Sequence, residues 1–335
     1  MKLGMGLGSR MGLAMVLLAA CSGDDTTVED DDGTGASGSG GMTSGPTSGP
    51  GSGNGGSTTT GGGGQGGGDE AARVCARWNA DRADMGEGTW SGAVNGCNAG
   101  DTSMVGRDNA LRLINLYRWL SDLPEVAHDA TRNAKAQECA LMMHANNSLS
   151  HSPPMGWDCW NSDGSEAAGK SNIATTPGVR AVDLYMADPG NETTIGHRRW
   201  ILNNGLGPVG LGSTDGYSCM WVIGGNGDGD RDWTAFPSDG VWPIEAMSAS
   251  FADVDDTGWT IQSQDINLEE STVSVKEDGA DVPVSVEVLQ RNFGSRYAIK
   301  LTPQGWQSQA GSTYEVSVTD VDTPFSYRVE MVSCE

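Results

Sequence analysis

The sequence contains few basic residues: 20 Lys and Arg stand against 44 Asp and Glu, a formal net charge of −24. Nucleic acids and anionic lipid headgroups are recognised through clustered Lys and Arg, so this balance argues against both as partners. Histidine is also scarce, with four in the chain. Neither a Cys-x-x-Cys pair nor a Gly-x-Ser-x-Gly elbow occurs. The usual signals for a zinc cluster and for a serine nucleophile are therefore missing.

The N-terminal segment has the features of an export signal. Residues 11–20 form an apolar run that is too short to span a bilayer, and two basic residues precede it. The run ends in Leu-Ala-Ala-Cys at Cys21, which matches a bacterial lipobox. We therefore expect residues 1–20 to be a lipoprotein signal peptide and Cys21 to be the acylated first residue of the mature chain. The alternative is an ordinary signal peptide with a chance cysteine.

The residue after Cys21 bears on localisation. It is Ser22 and not an aspartate. By similarity to Gram-negative lipoproteins, this predicts an extracytoplasmic, lipid-anchored protein, with the outer membrane or cell surface favoured. The membrane is then a partner through the lipid anchor.

Residues 21–68 have the composition of a disordered tether. An acidic stretch comes first, and residues 33–68 are almost wholly Gly, Ser, Thr and Pro. Such a segment buries too little apolar area to offset its chain entropy. A flexible coil of this length reaches roughly 40 Å, which is enough to hold a folded body away from a membrane.

Six further cysteines form an even set in a chain with an export signal, which predicts disulfides. Several connectivities are open. Pairing by neighbourhood along the chain favours Cys75–Cys97, Cys139–Cys159 and Cys219–Cys334. The first of these would staple residues 69–106, a Gly-rich segment that we interpret as an irregular lead-in. The third would tie the last strand of a second domain to the first domain.

Residues 107–240 combine helical periodicity with short apolar strands. Asp108 is a candidate N-cap, and apolar residues recur at helical spacing after it until Pro124. A second helical segment is rich in alanine, which allows close packing. Two apolar runs punctuated by glycine indicate a hairpin. The predicted helices are 108–124, 129–146 and 179–186, and the predicted hairpin strands lie within 206–212 and 217–224.

The pattern changes near residue 241. Short alternating runs separated by turns continue to residue 335 with no helical period, which indicates an Ig-like β-sandwich. Residues 225–243 are the predicted hinge. Within them Asn226, Asp228, Asp230 and Asp232 alternate like the start of an EF-hand, but the twelfth position is a proline, so a solvated acidic loop is favoured.

Two histidines in turn-rich settings resemble a known family. His151 follows the second helix, in Leu149-Ser150-His151-Ser152-Pro153, and His197 stands in Gly196-His197-Arg198, followed by Ile201-Leu202. With Asn115 and Arg118 on the first helix, this arrangement resembles the CAP superfamily of cysteine-rich secretory proteins, venom antigens and plant pathogenesis-related proteins. The secreted bacterial branch is most similar, over about residues 107–225.

The resemblance implies an α-β-α sandwich with a cleft that carries two histidines and acidic residues. The predicted fold class is thus α+β: a CAP-like α-β-α sandwich followed by an Ig-like all-β sandwich, with a disordered N-terminal tether. The family's Gly-Glu-Asn segment is here Gly169-Lys170-Ser171-Asn172, without the glutamate. The nearest acid is Glu166. The predicted cleft residues are therefore His151, Glu166, Asn172 and His197.

Three hypotheses for the cleft stay open. The first is a zinc or other divalent cation held by His151 and His197, which could serve a metal-assisted hydrolase that also uses Glu166. The second is binding of a small apolar, lipid-like or glycan ligand of the cell envelope, which the resemblance implies. The third is a non-catalytic adhesive or structural surface protein in which the histidines pin loops. The sequence marks no nucleophile, so an enzyme is the less favoured class.

The lipobox gives a direct prediction. We expect Cys21→Ser to release the protein from membranes, because the acyl chains attach through that thiol. Fractionation of cells that express wild type and variant measures this. Continued membrane association of the variant would contradict the lipoprotein interpretation.

Overall fold

The structure, a computed structural model, describes residues 66–248 and 251–335. The predicted signal peptide, Cys21 and most of the tether lie outside these residues. In the described part of the chain, no helix is both long and apolar enough to cross a membrane. The first half, from α1 to β3, contains six helices: α1 Gly66–Asp81, α2 Met104–Leu120, α3 Ala130–Asn146, α4 Ser162–Ala168, α5 Gly178–Ala187 and α6 Gly196–Ile201. Its strands are β1 Ser171–Ala174, β2 Gly210–Ser213 and β3 Ser218–Trp221.

The second half, from β4 to β12, is built mainly from strands. They are β4 Thr234–Phe236, β5 Gly240–Pro243, β6 Trp259–Ser263, β7 Thr272–Glu277, β8 Ala280–Val282, β9 Val284–Val288, β10 Tyr297–Pro303, β11 Thr313–Thr319 and β12 Phe325–Val332. A 3₁₀ turn, Ile244–Ala246, and a one-turn helix, α7 Val254–Thr257, lie between β5 and β6.

Helices α2, α3 and α5 confirm the three predicted helices, and their starts show where periodicity is a poor guide. Asp129, the first residue of the second predicted helix, is its N-cap, because its carboxylate accepts from the Arg132 backbone amide at 2.8 Å. Helix α2 starts four residues before the predicted cap Asp108. Its first turn carries Met104 and Val105, which are 56% and 55% exposed, so the apolar period becomes visible only after them.

Helix α1 contradicts the predicted irregular lead-in and extends back into the predicted tether. Val74 and Trp78, four residues apart, are both buried, and Trp78 packs edge-on against Tyr117 of α2 at 6.1 Å between centroids. The glycines at the start of the helix and the polar residues around these two side chains hid the period. The segment from Arg82 to Ser103 is irregular, as expected.

The three-stranded sheet of the first half has the order β1-β3-β2 and is antiparallel, which confirms the predicted hairpin. Alternate residues of a strand face opposite sides. Met220 accordingly joins the core made with α2 and α5, whereas Cys219 and Trp221 join the core made with α3 and α4. The sheet is thus covered by helices on both faces, which gives the α-β-α arrangement.

Glycines let α3 lie directly on β2. A Cβ on Gly212 would stand 2.1 Å from the carbonyl carbon of Ala136, and one on Gly210 would stand 2.6 Å from Arg132. Both strand residues must therefore lack a side chain for the helix to approach. The alanine-rich face predicted for this helix makes that approach.

Two sheets form the second half, with orders β4-β6-β10-β9 and β5-β12-β11-β7-β8. All neighbours are antiparallel except β5 and β12, which are parallel. Strands β4 and β5 lie in the segment predicted as a hinge, and Phe236 and Trp242 within it are completely buried. The glycines and aspartates around these short strands obscured them in the sequence.

The two halves share one hydrophobic core. A single cluster of buried side chains includes Leu113 and Tyr117 of α2 together with Trp259 of β6 and Tyr314 of β11. Phe236 of β4 bridges the halves, since its ring lies 6.1 Å from Tyr117 and 5.2 Å from Trp242. The second half is therefore packed against the first rather than carried on a flexible linker.

All six cysteines predicted to form disulfides do so, but in other pairs. The bonds are Cys75–Cys334, Cys97–Cys159 and Cys139–Cys219. Each predicted pairing was wrong because it followed distance along the chain, whereas the fold brings distant segments together. Cys139–Cys219 joins α3 to β3, and Cys75–Cys334 joins α1 to the segment after β12.

We predict that the bonds differ in their contribution to stability. Removing Cys75–Cys334, whose ends are 259 residues apart, should lower the free energy of unfolding by about 2–5 kcal/mol. Removing Cys97–Cys159, with a separation of 62, should cost about 1 kcal/mol less, because a shorter loop restrains the unfolded chain less.

Urea denaturation of the two double serine variants measures this difference. Equal free energies of unfolding, or the reverse order, would contradict the prediction. Six free thiols in untreated wild type would overturn the disulfides themselves.

Candidate functional site

His197 lies in the first turn of α6 and is completely buried. Its Nδ1 lies 2.7 Å from Oδ1 of Asp188, and its backbone amide donates to Oδ2 at 3.0 Å. A carboxylate only accepts, so we assign the ring hydrogen to Nδ1; the side-chain NH₂ of Asn191, 2.8 Å from the same nitrogen, then donates to Asp188 and not to the ring. Asp188, also inaccessible, ends α5 in the left-handed conformation at φ 53°, which turns its side chain back towards α6. The arrangement is an aspartate–histidine pair inside the protein.

Two asparagines complete the surroundings of this pair. The side-chain NH₂ of Asn191 donates to Asp188 Oδ1 at 2.7 Å. The side-chain NH₂ of Asn172 donates to the backbone carbonyl oxygen of His197 at 3.1 Å. The Tyr185 ring lies 5.0 Å from the imidazole. In the described part of the chain, Nε2 of His197 is buried without a hydrogen-bond partner. An imidazole held in this way can act as a base, but a substrate can reach it only if the surrounding segments move.

The two arginines after His197 fix the second half in place. Arg198 donates to the carbonyl oxygens of Met186 and Ala187, and also to Gly258 O at 2.6 Å and Thr257 Oγ1 at 3.1 Å. Arg199 donates to Thr194 O, and also to Gln290 O at 2.8 Å and Ser295 O at 3.0 Å. The Gly-His-Arg segment thus serves as an anchor between the halves, a role that no sequence pattern indicated.

Burial lowers the pKa of both arginines, that of Arg198 to about 10 and that of Arg199 to about 9. Both therefore remain charged at neutral pH. Carbonyl oxygens replace the lost water around the guanidinium groups, and Asp188 opposes the downward shift of both pKa values.

His151 lies in the loop between α3 and α4 and is partly buried. Its Nδ1 is 2.8 Å from the carbonyl oxygen of Ala168, the last residue of α4, so Nδ1–H donates to that oxygen. A Cβ on Gly169 would approach the His151 carbonyl oxygen at 3.4 Å. This histidine thus fastens its loop to the chain just before β1, the strand that carries Asn172.

Glu166 does not complete the predicted cleft, because its carboxylate is bound elsewhere. Oε2 accepts from Lys135 Nζ at 2.5 Å, and Oε1 accepts from Lys170 Nζ at 2.9 Å. These two hydrogen bonds lower the pKa of Glu166 to about 2. Its closeness to Gly169, where the family's glutamate is missing, suggested a place in the cleft, but the side chain belongs to an exposed ion-pair group between α3 and α4.

Metal ligands are not grouped in the structure. Within residues 66–248 and 251–335, no three His, Cys, Asp or Glu side chains are arranged to hold an ion. The pair His151 and His197 thus has no third ligand of these types there. The alternating loop Asn226–Asp232 is tied to another turn instead: the Gly227 and Gly229 amides donate to the Gly205 and Asn204 carbonyl oxygens.

An apolar cavity of about 20 Å³ lies where α2 and α5 pack on β2 and β3. Its apolar wall includes Ala110, Val179, Leu211 and Met220. Tyr185 lines it as well, and the same ring contacts His197. Neither His151 nor His197 lines this cavity.

A polar hollow of about 130 Å³ adjoins the apolar cavity and shares Glu87, Thr102 and Ser213 with it. Glu87 closes the start of α5, because its carboxylate accepts from the Val179 amide at 2.7 Å and the Arg180 amide at 2.9 Å. Burial raises the pKa of Glu87 against the effect of these two bonds. Glu87 stands in the irregular segment, where no sequence pattern marked it.

Comparison with known proteins gives one match. Residues 111–223 match the model of the CAP family, described as the cysteine-rich secretory protein family. The match covers about a third of the chain and supports placing this part in the CAP superfamily. It includes His151, Asn172, Asp188 and His197. Neither the curated proteins nor the solved structures include a significant match.

We predict a large stability loss for Arg199→Met. Methionine keeps much of the apolar stem but leaves the Thr194, Gln290 and Ser295 carbonyl oxygens without a donor. The free energy of unfolding should fall by about 3 kcal/mol or more. Arg328→Met, at a site whose side chain is 60% exposed, is the control and should change it by less than about 0.5 kcal/mol. Similar urea midpoints for the two variants would show that Arg199 is no anchor.

Proposed function

We propose that this chain is an exported, lipid-anchored binding protein whose CAP-like half takes a small apolar ligand between α2 and α5. The observation that carries the proposal is the apolar cavity at that place. Its volume of about 20 Å³ is close to that of a single water or methyl group. An acyl chain or a sterol-like ring must therefore separate the two helices rather than enter a finished pocket.

Exposed apolar side chains beside the cavity support this ligand class. Met104 and Val105 are 56% and 55% exposed in the first turn of α2. The next residue, Gly106, lines the cavity, and Thr102, just before the helix, lines both the cavity and the polar hollow. Exposed apolar residues next to a polar rim are typical of a surface that receives an apolar ligand.

The histidines have a positioning role in this proposal. His197 holds the turn after α5 through Asp188, and His151 holds the loop before β1 through the Ala168 carbonyl. Tyr185 of α5 contacts His197 and lines the cavity, so the aspartate–histidine pair fixes one wall of the ligand site. No observation on Glu166 favours the hydrolase alternative.

The second half is proposed to be an immunoglobulin-like sandwich that braces the first. The strand order supports this architecture. Taken in chain order, β4-β6-β10-β9 corresponds to strands A, B, E and D of that fold, and β12-β11-β7-β8 corresponds to G, F, C and C′. A surface or adhesive role for this half remains a second proposal, and the acyl group on Cys21 would attach the whole protein to a membrane.

Titration of the full chain with cis-parinaric acid, a fluorescent fatty acid, tests the ligand proposal. Ala110→Leu places extra carbon atoms in the cavity and should weaken binding about tenfold or more, since the ligand and the new side chain compete for the same space. Circular dichroism verifies that the variant is folded. A wild type that does not bind, or a folded Ala110→Leu that binds equally well, would refute the proposal.

A second pair of variants tests whether the ligand enters the cavity beside Met104 and Val105. The double variant Met104→Ser/Val105→Ser should also reduce affinity, because it removes apolar surface beside the cavity. Val286→Ser/Val288→Ser is the matched control, since these two valines are exposed on β9. Equal loss of binding in both double variants would mean that the fatty acid adheres to exposed apolar surface in general.

A further inference from the structure

A separate cavity of about 290 Å³ lies at the junction of the two halves. Trp200 of α6 and Val222, which follows β3, come from the first half. Gln264, which follows β6, and the turn Gly294–Ser295 before β10 come from the second. Its volume is near the lower end of the range for small-molecule sites. The cavity exists only because the halves are docked, and it is not part of the apolar site between α2 and α5.

The lining of this junction cavity is polar but uncharged. None of its ten lining residues is Asp, Glu, Lys or Arg, in a chain with 64 such residues (44 + 20). Three are carboxamides: Asn203, Asn204 and Gln264. A carboxamide both donates and accepts, which suits the hydroxyl groups of a sugar. A charged ligand would find no counter-charge in this wall, and the net charge of −24 opposes anions further.

Several polar groups of the wall retain capacity for a ligand. Trp200 Nε1 is buried, and within the described residues it has no hydrogen-bond partner. Asn203 Oδ1 accepts from the Gly205 amide at 2.8 Å, and Gln264 Oε1 accepts from the Arg296 amide at 3.3 Å. These bonds use the oxygens and leave the NH₂ groups as donors. The Trp200 indole also supplies the apolar surface on which the C–H face of a pyranose packs.

Asn204 contributes to the wall of the cavity but does not bind the ligand, because its side chain is already hydrogen-bonded. Its Nδ2 donates to the Arg231 carbonyl at 2.5 Å, and its Oδ1 accepts from the Arg231 amide at 3.3 Å. Gly294 also lines the cavity and packs closely against the backbone of Arg199. It adopts φ +76°, and a Cβ there would stand 2.3 Å from the Arg199 carbonyl oxygen. The Arg199 guanidinium also holds the Ser295 carbonyl, so the anchor between the halves sets the width of the cavity.

From this geometry we propose that the junction cavity binds a neutral pyranose, as a free sugar or as a residue of a glycan. The carboxamide donors of Asn203 and Gln264 contact its hydroxyl groups, and the Trp200 indole packs against its ring. The second half of the protein thereby completes a carbohydrate site that the CAP-like half alone does not contain.

Saturation-transfer NMR on the full chain, with glucose, N-acetylglucosamine and glucuronate as probes, tests the proposal. We expect saturable binding of at least one neutral sugar and weaker binding of glucuronate. Gly205→Trp places a side chain in the cavity, since the nearest atom to a Cβ there is Asn203 Oδ1 at 3.6 Å. The neutral-sugar signal should then fall about tenfold or more. Gly156→Trp, where nothing lies within 4 Å of a Cβ, is the matched control and should bind like wild type.

A second pair of variants makes smaller changes, so that a loss of binding is not caused by misfolding. Gln264→Ala should weaken sugar binding several-fold, whereas Gln307→Ala, in the loop after β10, should leave it unchanged. No saturable sugar binding by wild type would overturn the proposal. So would equal binding by folded Gly205→Trp, or a preference for glucuronate. Loss of sugar binding with fatty-acid binding retained would locate the two ligands at separate sites.

Discussion

Two adjacent buried guanidinium groups hold this protein together. Arg198 and Arg199 follow His197 on a six-residue helix, and each donates to carbonyl oxygens of both halves. Burying a cation costs several kcal/mol unless its hydrogen bonds are replaced, so the surrounding carbonyl groups must keep their places. The carboxylate of Asp188 accepts hydrogen bonds from the backbone amides of His197 and Arg198, at the start of the same helix. The position of α6 therefore determines the candidate site and the seating of the second half together.

This arrangement makes the domain boundary poorly defined in physical terms. The segment predicted as a hinge contributes Phe236 and Trp242 to a core that also contains Tyr117 and Trp259. Cys75–Cys334 adds a covalent link from α1 to the residues after β12. Domains joined by a small polar interface move independently, whereas a shared apolar core and buried cations oppose such motion. Ligands at the junction cavity would therefore meet a fixed wall.

Local patterns predicted the elements well, and long-range contacts were the part that they could not supply. Periodicity located α2, α3 and α5, and glycine-punctuated runs located the β2–β3 hairpin. The same reasoning missed α1, because only Val74 and Trp78 mark its buried face. It paired cysteines by closeness along the chain and chose Glu166 by closeness to Gly169, although the Glu166 carboxylate is held by Lys135 and Lys170. Arg199 illustrates the limit, because two of its three partners, Gln290 and Ser295, lie 91 and 96 residues away in the chain.

The bond between Cys75 and Cys334 has a consequence for proteolysis. It closes nearly the whole folded body into one covalent ring, with a separation of 259 residues between its ends. A protease that cuts any exposed loop inside this ring leaves both fragments joined through sulfur. A single cut therefore releases the body from the proposed anchor at Cys21 only if it falls before Cys75. Shedding by one cleavage is thus confined to the segment between Cys21 and Cys75.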